Sequence, residues 1–473
     1  MTSIIHEIAT EFLENILETL KPHEGMKWEE TSAKLMKYCK ETTARFIRAA
    51  AEGLDQELRN DKAGRKQLGL TIKTRGRKRT IYTEFGAIGI DRSYYYDKNS
   101  GKHRFLLDEI LGLPKYERVD RIVGKRLAEN AAYVSYTKSS DIVTGGELSR
   151  QTVRNCIMQV NVPEIAVPEA KRKVRVLHVF ADEDHVHMQK AGKQPGKRSR
   201  IVPLVTVTEG IRPIGTHRNA TVEPVSFVDE DFNTERLWKT VEGFIEKKYD
   251  MDVLEKIVLH GDGGNWIRNG LDDFCNVVHV MDGFHFHKAL RALAANFPKR
   301  RVKKVIMDAV KENDQSRVDR YIQELLDDAK ENKDLTEKVS RFGVYLNRNW
   351  KAIVNRFKKD MPGSCTEGLV SHILSKRFSR EPQGWSDEGL GRLSNIRVYL
   401  INGGELRADD LHKERPDNAS REKYAEYADR VIQHAKEELH DWSIFDGEPF
   451  VMDRGSGTQM LIRSYGAARD LLS

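Results

Sequence analysis

From Val174 to about residue 290 the chain changes its hydrophobic period in a fixed order, and that order limits the folds open to it more than any bulk property does. Short alternating or continuous apolar runs at Val174–Asp182, continuing through His185–Gln189, at Ile201–Thr208 and at Ala220–Val228 have the period of strands. A helical stretch, Thr234–Tyr249, follows them, then a buried-strand run, Lys256–Gly261. Gly263–Phe274 reads as helix, Val277–Met281 as a short apolar strand, and Phe284 onward as helix again. Three strands in succession fold as antiparallel hairpins, and strands separated by helices return parallel through crossovers. This is the order of a ribonuclease-H-like α/β fold.

Acids punctuate that pattern. Asp182 closes the first strand, Asp262 directly follows the fourth and Asp282 terminates the fifth. Carboxylates brought together at neighbouring strand ends repel unless a cation fills the gap, and hard oxygen ligands favour Mg²⁺ or Mn²⁺ over zinc. Two such ions about 3.5–4 Å apart activate a nucleophile and stabilise the leaving oxygen of an in-line phosphoryl displacement. A further acid is expected from a helix facing the strand ends. The span from Lys288 to Asp360 reads as a charged helical insertion, with the run Lys299-Arg300-Arg301-Val-Lys-Lys304 near its start. Past Pro362-Gly363 a fresh helix places Glu367 on one face with Val370 and Leu374. The competing reading of Glu367 is a capping box with Ser364, that of Asp262-Gly-Gly is a plain turn, and that of the Lys299–Lys304 run is a solvated helix face. Trp266 and Trp385 read as packing residues.

Ahead of the sheet, residues 4–60 have helical spacing, the second helix running from about Trp28 to Asn60. Thr71–Tyr96 reads as a hairpin or small sheet whose turn and flank carry Lys73, Arg75, Arg77, Lys78 and Arg79. Helix period returns over Arg118–Asn161. There Tyr136–Val143, the break at Gly145-Gly146 and a second helix capped by Ser149 have helix-turn-helix spacing. Ser149, Arg150, Gln151, Thr152 and Arg154 supply the short polar and basic first turns of a recognition helix; an ordinary αα-hairpin fits the same text. Pro163, Pro168 and Lys171-Arg-Lys173 form a linker. The expected division is a helical region 1–65, a basic β region 66–120, a helix-turn-helix-like region 121–170, a catalytic α/β region 171–400 with its insertion at about 290–360, and a mixed region 401–473.

Charge alone does not name a partner, because 79 Lys and Arg against 72 Asp and Glu leave only +7, and phosphate attraction depends on local density. Histidines concentrate at His178, His185, His187, His217, His260, His279, His285 and His287. Without matched zinc-site spacing they read as lining a polar active region rather than holding structural zinc. The four cysteines are dispersed without a CxxC pair, no run approaches eighteen apolar residues, and the N-terminus lacks a basic segment followed by an apolar one. A cytoplasmic protein that does not enter the membrane is expected.

The segments Ala181-Asp-Glu-Asp-His-Val186, His260-Gly-Asp-Gly-Gly-Asn-Trp266, Asp282-Gly-Phe-His285 and Thr366-Glu-Gly-Leu-Val-Ser-His372, with Pro382-Gln-Gly-Trp385, resemble the ISLre-type bacterial insertion-sequence transposases, within the Mutator-like group of DDE transposases. The resemblance covers nearly the whole chain. It implies that Asp182, Asp262 and Glu367 are the DDE triad holding two Mg²⁺ or Mn²⁺ ions, and that Asp282-x-x-His285 is the accessory motif. Asp184 is the alternative to Asp182; continuation of the strand through Val186 and Met188 favours Asp182. The function so implied is cleavage of element ends and transfer of the 3′-OH to target DNA, by a homo-oligomer, a dimer on DNA bound to terminal inverted repeats. Arg75–Arg79, Ser149–Arg154 and Lys299–Arg301 are the expected DNA contacts. A nuclease without strand transfer shares every acid, and a helix-turn-helix regulator needs none of them.

Overall fold

The computed structural model describes residues 2–22, 25–189, 199–215, 218–358, 361, 363–381 and 384–411, together with 429 and 433. The expected region 401–473 therefore lies largely outside the described residues, as do His217, Pro362, Pro382 and Gln383. The described chain forms two compact units, one within Met1–Asp120 and one within Arg121–His412. Among the described residues no helix is long and apolar enough to cross a membrane.

In the first unit α1 (Thr2–Leu20) packs on the long α2 (Trp28–Asn60), and a short α3 (Lys62–Gln67) leads into an antiparallel sheet of β1 (Leu70–Thr83), β2 (Gly86–Asp97) and β3 (Lys102–Arg104), followed by α4 (Leu106–Ile110). Ala51 and Leu54 of α2 meet Ile81, Ile88 and Ile90 of the sheet and Leu107 of α4. The basic run does not sit in the hairpin turn, which falls at Glu84-Phe85. It lies mid-strand in β1, where the pairing register shifts on either side of Thr74 and Gly76 takes φ +65°. The bulges break the two-residue alternation, so Lys73 through Lys78 are all exposed while Arg79 turns inward. Arg79 is only 8% exposed. Its guanidinium pairs with Asp108 at 2.8 Å and donates to the Pro114 and Glu117 carbonyls, so this expected DNA contact is a structural residue instead.

The second unit opens with α5 (Arg121–Ala131), α6 (Tyr136–Thr144) and α7 (Arg150–Met158), packed through buried Leu127, Ala128, Val153 and Ile157. Gly145 ends α6 at φ +64°, a left-handed cap open to glycine at little cost, and Ser149 caps α7 by accepting the Thr152 N–H. Then come β4 (Val176–His187), β5 (Ser199–Thr208), β6 (Gly210–Gly215), β7 (Arg218–Val222), β8 (Val225–Phe227), α8 (Thr234–Lys248), β9 (Lys256–Gly261), α9 (Asn265–Arg268), β10 (Val277–Met281) and α10 (Gly283–Ala294). The five-stranded mixed sheet has the order β10-β9-β4-β5-β8, with β4-β5-β8 antiparallel and β4-β9-β10 parallel. Leu177, Val179, Val205, Val207, Ile257 and Leu259 on one face bury against Leu237, Val241 and Ile245 of α8.

Two sequence expectations are corrected here. The single third strand at Ala220–Val228 is split: β7 pairs with β6 in a separate ribbon and only β8 joins the large sheet. Glu223 takes φ +49° and Pro224 has no N–H to give a ladder, so the pairing breaks between them. The helix expected over Gly263–Phe274 is one turn long. A Cβ on Gly270 would come within 2.2 Å of the Trp238 ring, and Leu271 takes φ +63°, which no helix continues.

Three helices, α11 (Val302–Lys311), α12 (Gln315–Ala329) and α13 (Lys333–Arg356), occupy the expected insertion and share a core with Met281 and Phe286. The chain then forms α14 (Thr366–Val370), a π-helical turn at Ser371–Ser375, α15 (Lys376–Phe378) and α16 (Asp387–Ile401). Buried Arg377 donates to the Ala131 carbonyl, and buried Arg397 to those of Ala132, His372 and Ile373. These cations tie the segment that carries Glu367 to the C-terminal end of α5, where helical carbonyls lack partners.

Candidate active site

Strand alternation decides which side chains meet. With Leu177, Val179 and Ala181 of β4 facing α8, His178, Phe180, Asp182 and Asp184 take the opposite face, where His260 of β9 joins them. β4 runs on past Asp182 to His187, so this acid does not close its strand as expected but lies just beyond Phe180, where pairing with β9 stops. There one oxygen of Asp182, one of Glu367 and a ring nitrogen of His285 all lie within 4.8 Å of one another. Asp182 comes from β4, His285 from the first turn of α10 and Glu367 from the first turn of α14, so three elements distant in the chain converge. The capping-box alternative for Glu367 is absent: Cys365 caps α14 without a side-chain bond, and the Ser364 hydroxyl accepts the Thr366 N–H.

Asp182 is 7% exposed. Burial lifts its carboxyl to about 6; the Glu183 N–H, donated to Oδ1 at 2.9 Å, and nearby His285 oppose the rise, while Asp262 and Asp282 add to it. His285 Nε2 stands 3.9 Å from Asp182 Oδ2. Asp262 lies outside the close trio and accepts the Gly264 N–H at 2.8 Å, in a turn where Gly263 has φ +84° and a Cβ would meet Asn349 of α13 at 2.3 Å. Asp282, 2% exposed, leaves Oδ2 without a partner. Asp184, the alternative first acid, accepts the Ser375 and Ser379 hydroxyls at 3.0 Å each. Those serines flank the end of the π-helical turn, a local widening frequent near functional sites.

Four participants were not singled out in the chain. Burial, with the charge of nearby Asp262 and Asp282 added, pushes the phenol of Tyr345 in α13 well above the usual range. Glu183 accepts the Trp266 indole N–H at 3.0 Å. Ser375 and Ser379 complete the set; no period or spacing marks any of them. Trp385 packs as expected, 6% exposed, its indole N–H donated to the Phe378 carbonyl.

The histidines divide. His178 Nδ1 and His260 Nε2 are 3.0 Å apart beneath Phe180, and burial lowers them to about 4 and about 3 respectively, so they form a sealed neutral pair rather than lining the acid cluster. Of the expected DNA contacts, Ser149, Arg150 and Gln151 are exposed, and Arg154 is half-buried in an ion pair with Glu388 at 3.0 Å. Lys299 and Arg301 are exposed, whereas Arg300 is engaged by Asp328 through two hydrogen bonds. Arg75, Arg77 and Lys78 stay on the surface of β1.

Residues 21–415 match the model of an uncharacterised protein family, UPF0236. The UPF0236 protein TTE0610/TTE0881/TTE1053/TTE2432 of Caldanaerobacter subterraneus subsp. tengcongensis is 33% identical over 422 residues, 88% of this chain and 87% of that protein. A second from the same organism is 33% identical over 416 residues, 87% of this chain and 86% of that protein; its name runs from TTE0033 to TTE2212 through eleven designations, many copies in one genome, which is typical of mobile elements. Among solved structures, the Drosophila P element transposase strand transfer complex aligns at 10% identity and a TM-score of 0.20, over 68% of this chain and 86% of that one. With the match running from just after α1 to past α16 and taking in Asp182, His285 and Glu367, this chain belongs to the UPF0236 family.

Proposed function

We propose that this chain is a DDE transposase of the ISLre type, within the Mutator-like group, which cleaves insertion-sequence ends and joins the freed 3′-OH to target DNA. The observation that carries the reading is the meeting of Asp182, His285 and Glu367 just past the last β4–β9 pair of a mixed sheet. The strand order, three antiparallel strands followed by two parallel ones on the other side of the first, supports a ribonuclease-H-like fold. Many genomic copies of a relative fit a mobile element.

The residues fit divalent cations. A buried carboxyl raised by two neighbouring acids, an unpartnered Asp282 oxygen and a trio of ligand atoms form a site short of positive charge. Asp182, Asp262 and Glu367 would hold two Mg²⁺ or Mn²⁺ ions, which supply Lewis acidity to the attacking and leaving oxygens of the phosphodiester. The chain's own groups prepare that chemistry. The Glu183 N–H fixes the Asp182 carboxylate, the Gly264 N–H fixes Asp262, and His285 holds a ring nitrogen beside Asp182 where it orients the carboxylate. Arg75, Arg77 and Lys78, with Ser149, Arg150, Gln151 and Arg154 and with Lys299 and Arg301, position DNA through phosphates and base edges. The active form is a dimer on DNA, since two element ends have to be joined.

The test is incubation of full-length protein with a labelled duplex carrying the sequence that flanks its own gene, plus a target plasmid and Mg²⁺ or Mn²⁺. Cleavage and joining are expected from the wild type and neither from Asp182→Asn. Cleavage without joined product would reduce the reading to a nuclease, and DNA binding unaffected by any acid, with no metal-dependent cleavage, would leave a regulator.

A further inference from the structure

Beyond the acid cluster, the second unit contains a cavity of about 400 Å³ between the edge strand β10 and helix α13. Its wall includes Arg268, Arg348, Lys351, Lys358 and His279, and no Asp or Glu is among its lining residues. Arg268 and Arg348 each donate an Nη2 to the same neutral oxygen, Asn265 Oδ1, at 2.5 Å. The buried Nε of Arg268 has no partner. Two guanidiniums converging on one amide oxygen, with two ammoniums on the same wall, concentrate positive charge that an anion would offset. The consequences are visible locally: burial and the Arg348 charge lower Arg268, and burial, Lys351 and Arg268 lower His279 against the pull of Asp272, the acid that faces it.

We propose that this cavity holds a backbone phosphate of a DNA strand, delivering the adjoining phosphodiester toward the acids. Asn265, which aligns both guanidiniums, lies three residues past Asp262, and Gly263 of the same turn lines the cavity. Forked guanidinium donors match phosphate oxygens, and the apolar remainder of the wall, Val278, Val280 and Ala352, suits the sugar. The assignment rests on DNA being the substrate; the same chemistry would also accept a free nucleotide, so the test separates the two.

Binding of a labelled duplex to the full-length protein is measured by anisotropy in EDTA across a salt series, so that no cleavage enters the readout. Arg348→Ala with Lys351→Ala is expected to weaken binding by about tenfold or more and to flatten the slope of log K against log salt by about two, one for each lost phosphate contact. Lys351→Gln alone, at an exposed position, is expected to flatten it by about one. Unchanged affinity and slope in both variants overturn the proposal, as does tight wild-type binding of deoxynucleoside monophosphate that the variants lose while their DNA affinity stays intact. A wild type that binds no DNA at all sinks the function proposed above; DNA binding that ignores these two cations sinks only the cavity's role.

Discussion

Two polar clusters share one face of the second unit's sheet, and burial treats them in opposite ways. His178, near the start of β4, and His260, near the end of β9, are sealed, at 8% and 0% exposure. Asp182, midway along β4 and just past its last pair with β9, is as buried, but its partners His285 and Glu367 reach solvent. Burial pushes the two imidazoles and the Asp182 carboxyl toward neutrality. The imidazoles bond to each other, with His260 Nδ1 left unpartnered; Asp182 has His285 at 3.9 Å, and Asp282 Oδ2 is without a partner. A buried polar group that satisfies itself is structure, and one that lacks its counter-charge is a site.

The sharpest way to break this contrast is to remove the polar groups of each. Asp182→Asn or Glu367→Gln should lower Mg²⁺-dependent cleavage by roughly three orders of magnitude, the double variant being little worse, because ligands of one centre act as a unit. Leu at His178 and His260 should leave the cleavage rate of folded protein within about tenfold. Single-turnover assays decide both; equal losses would erase the distinction between the clusters.

A smaller effect concerns the cation itself. Mg²⁺ at about 100 times its dissociation constant should stabilise the wild type by about 2.7 kcal/mol in denaturant titrations and Asp182→Asn far less. Equal stabilisation of both would move the ion away from Asp182.

The pH dependence should then have opposite signs. The Asp182 pKa, about 6 when folded, is raised above its unfolded value, so its contribution is present below about pH 4 and is lost as pH rises through 6. Metal-free Asp182→Asn should therefore be the more stable protein at pH 8, by on the order of 2 kcal/mol, with the gain gone near pH 4. The histidines are lowered to about 4 and about 3, so their contribution is present above about pH 6.5 and is lost as pH falls toward 4. The double Leu variant should lack that acid-side loss, again on the order of 2 kcal/mol. Urea titrations at a series of pH values check both; slopes of one sign would sink the contrast.

The least effect is expected at Asp184. Ser375→Ala with Ser379→Ala removes two donors from one carboxylate, costing about 1–3 kcal/mol of stability and about tenfold or less in cleavage. A loss as large as that of Asp182→Asn would make Asp184 the first acid.

Local periodicity by itself determined the strands and most of the helices of the second unit, because a two-residue alternation and a 3.6-residue stripe are each written into a few consecutive side chains. It also placed Asp262 and Asp282 at strand ends and Glu367 in the first turn of a helix, and it selected Ser149 as a cap, whereas Asp182, read as closing its strand, lies within β4, which runs on to His187. What it did not carry is any interaction whose partner lies far along the chain. Arg79 has the same chemistry as Arg77, yet bulges in β1 turn one to solvent and the other onto Asp108, and bulges depend on cross-strand register. Gly270 stops a helix because Trp238 occupies the space a Cβ would need. Tyr345, Ser375 and Ser379 belong to the acid site only because α13 and the π-helical turn pack there, and the two halves of the neutral pair, His178 and His260, are paired by neighbouring strands β4 and β9. Residue type and period are local properties, whereas burial, register and the distance between charges are properties of the packed chain, and it was those that divided the sheet face into a sealed pair and an unfinished site.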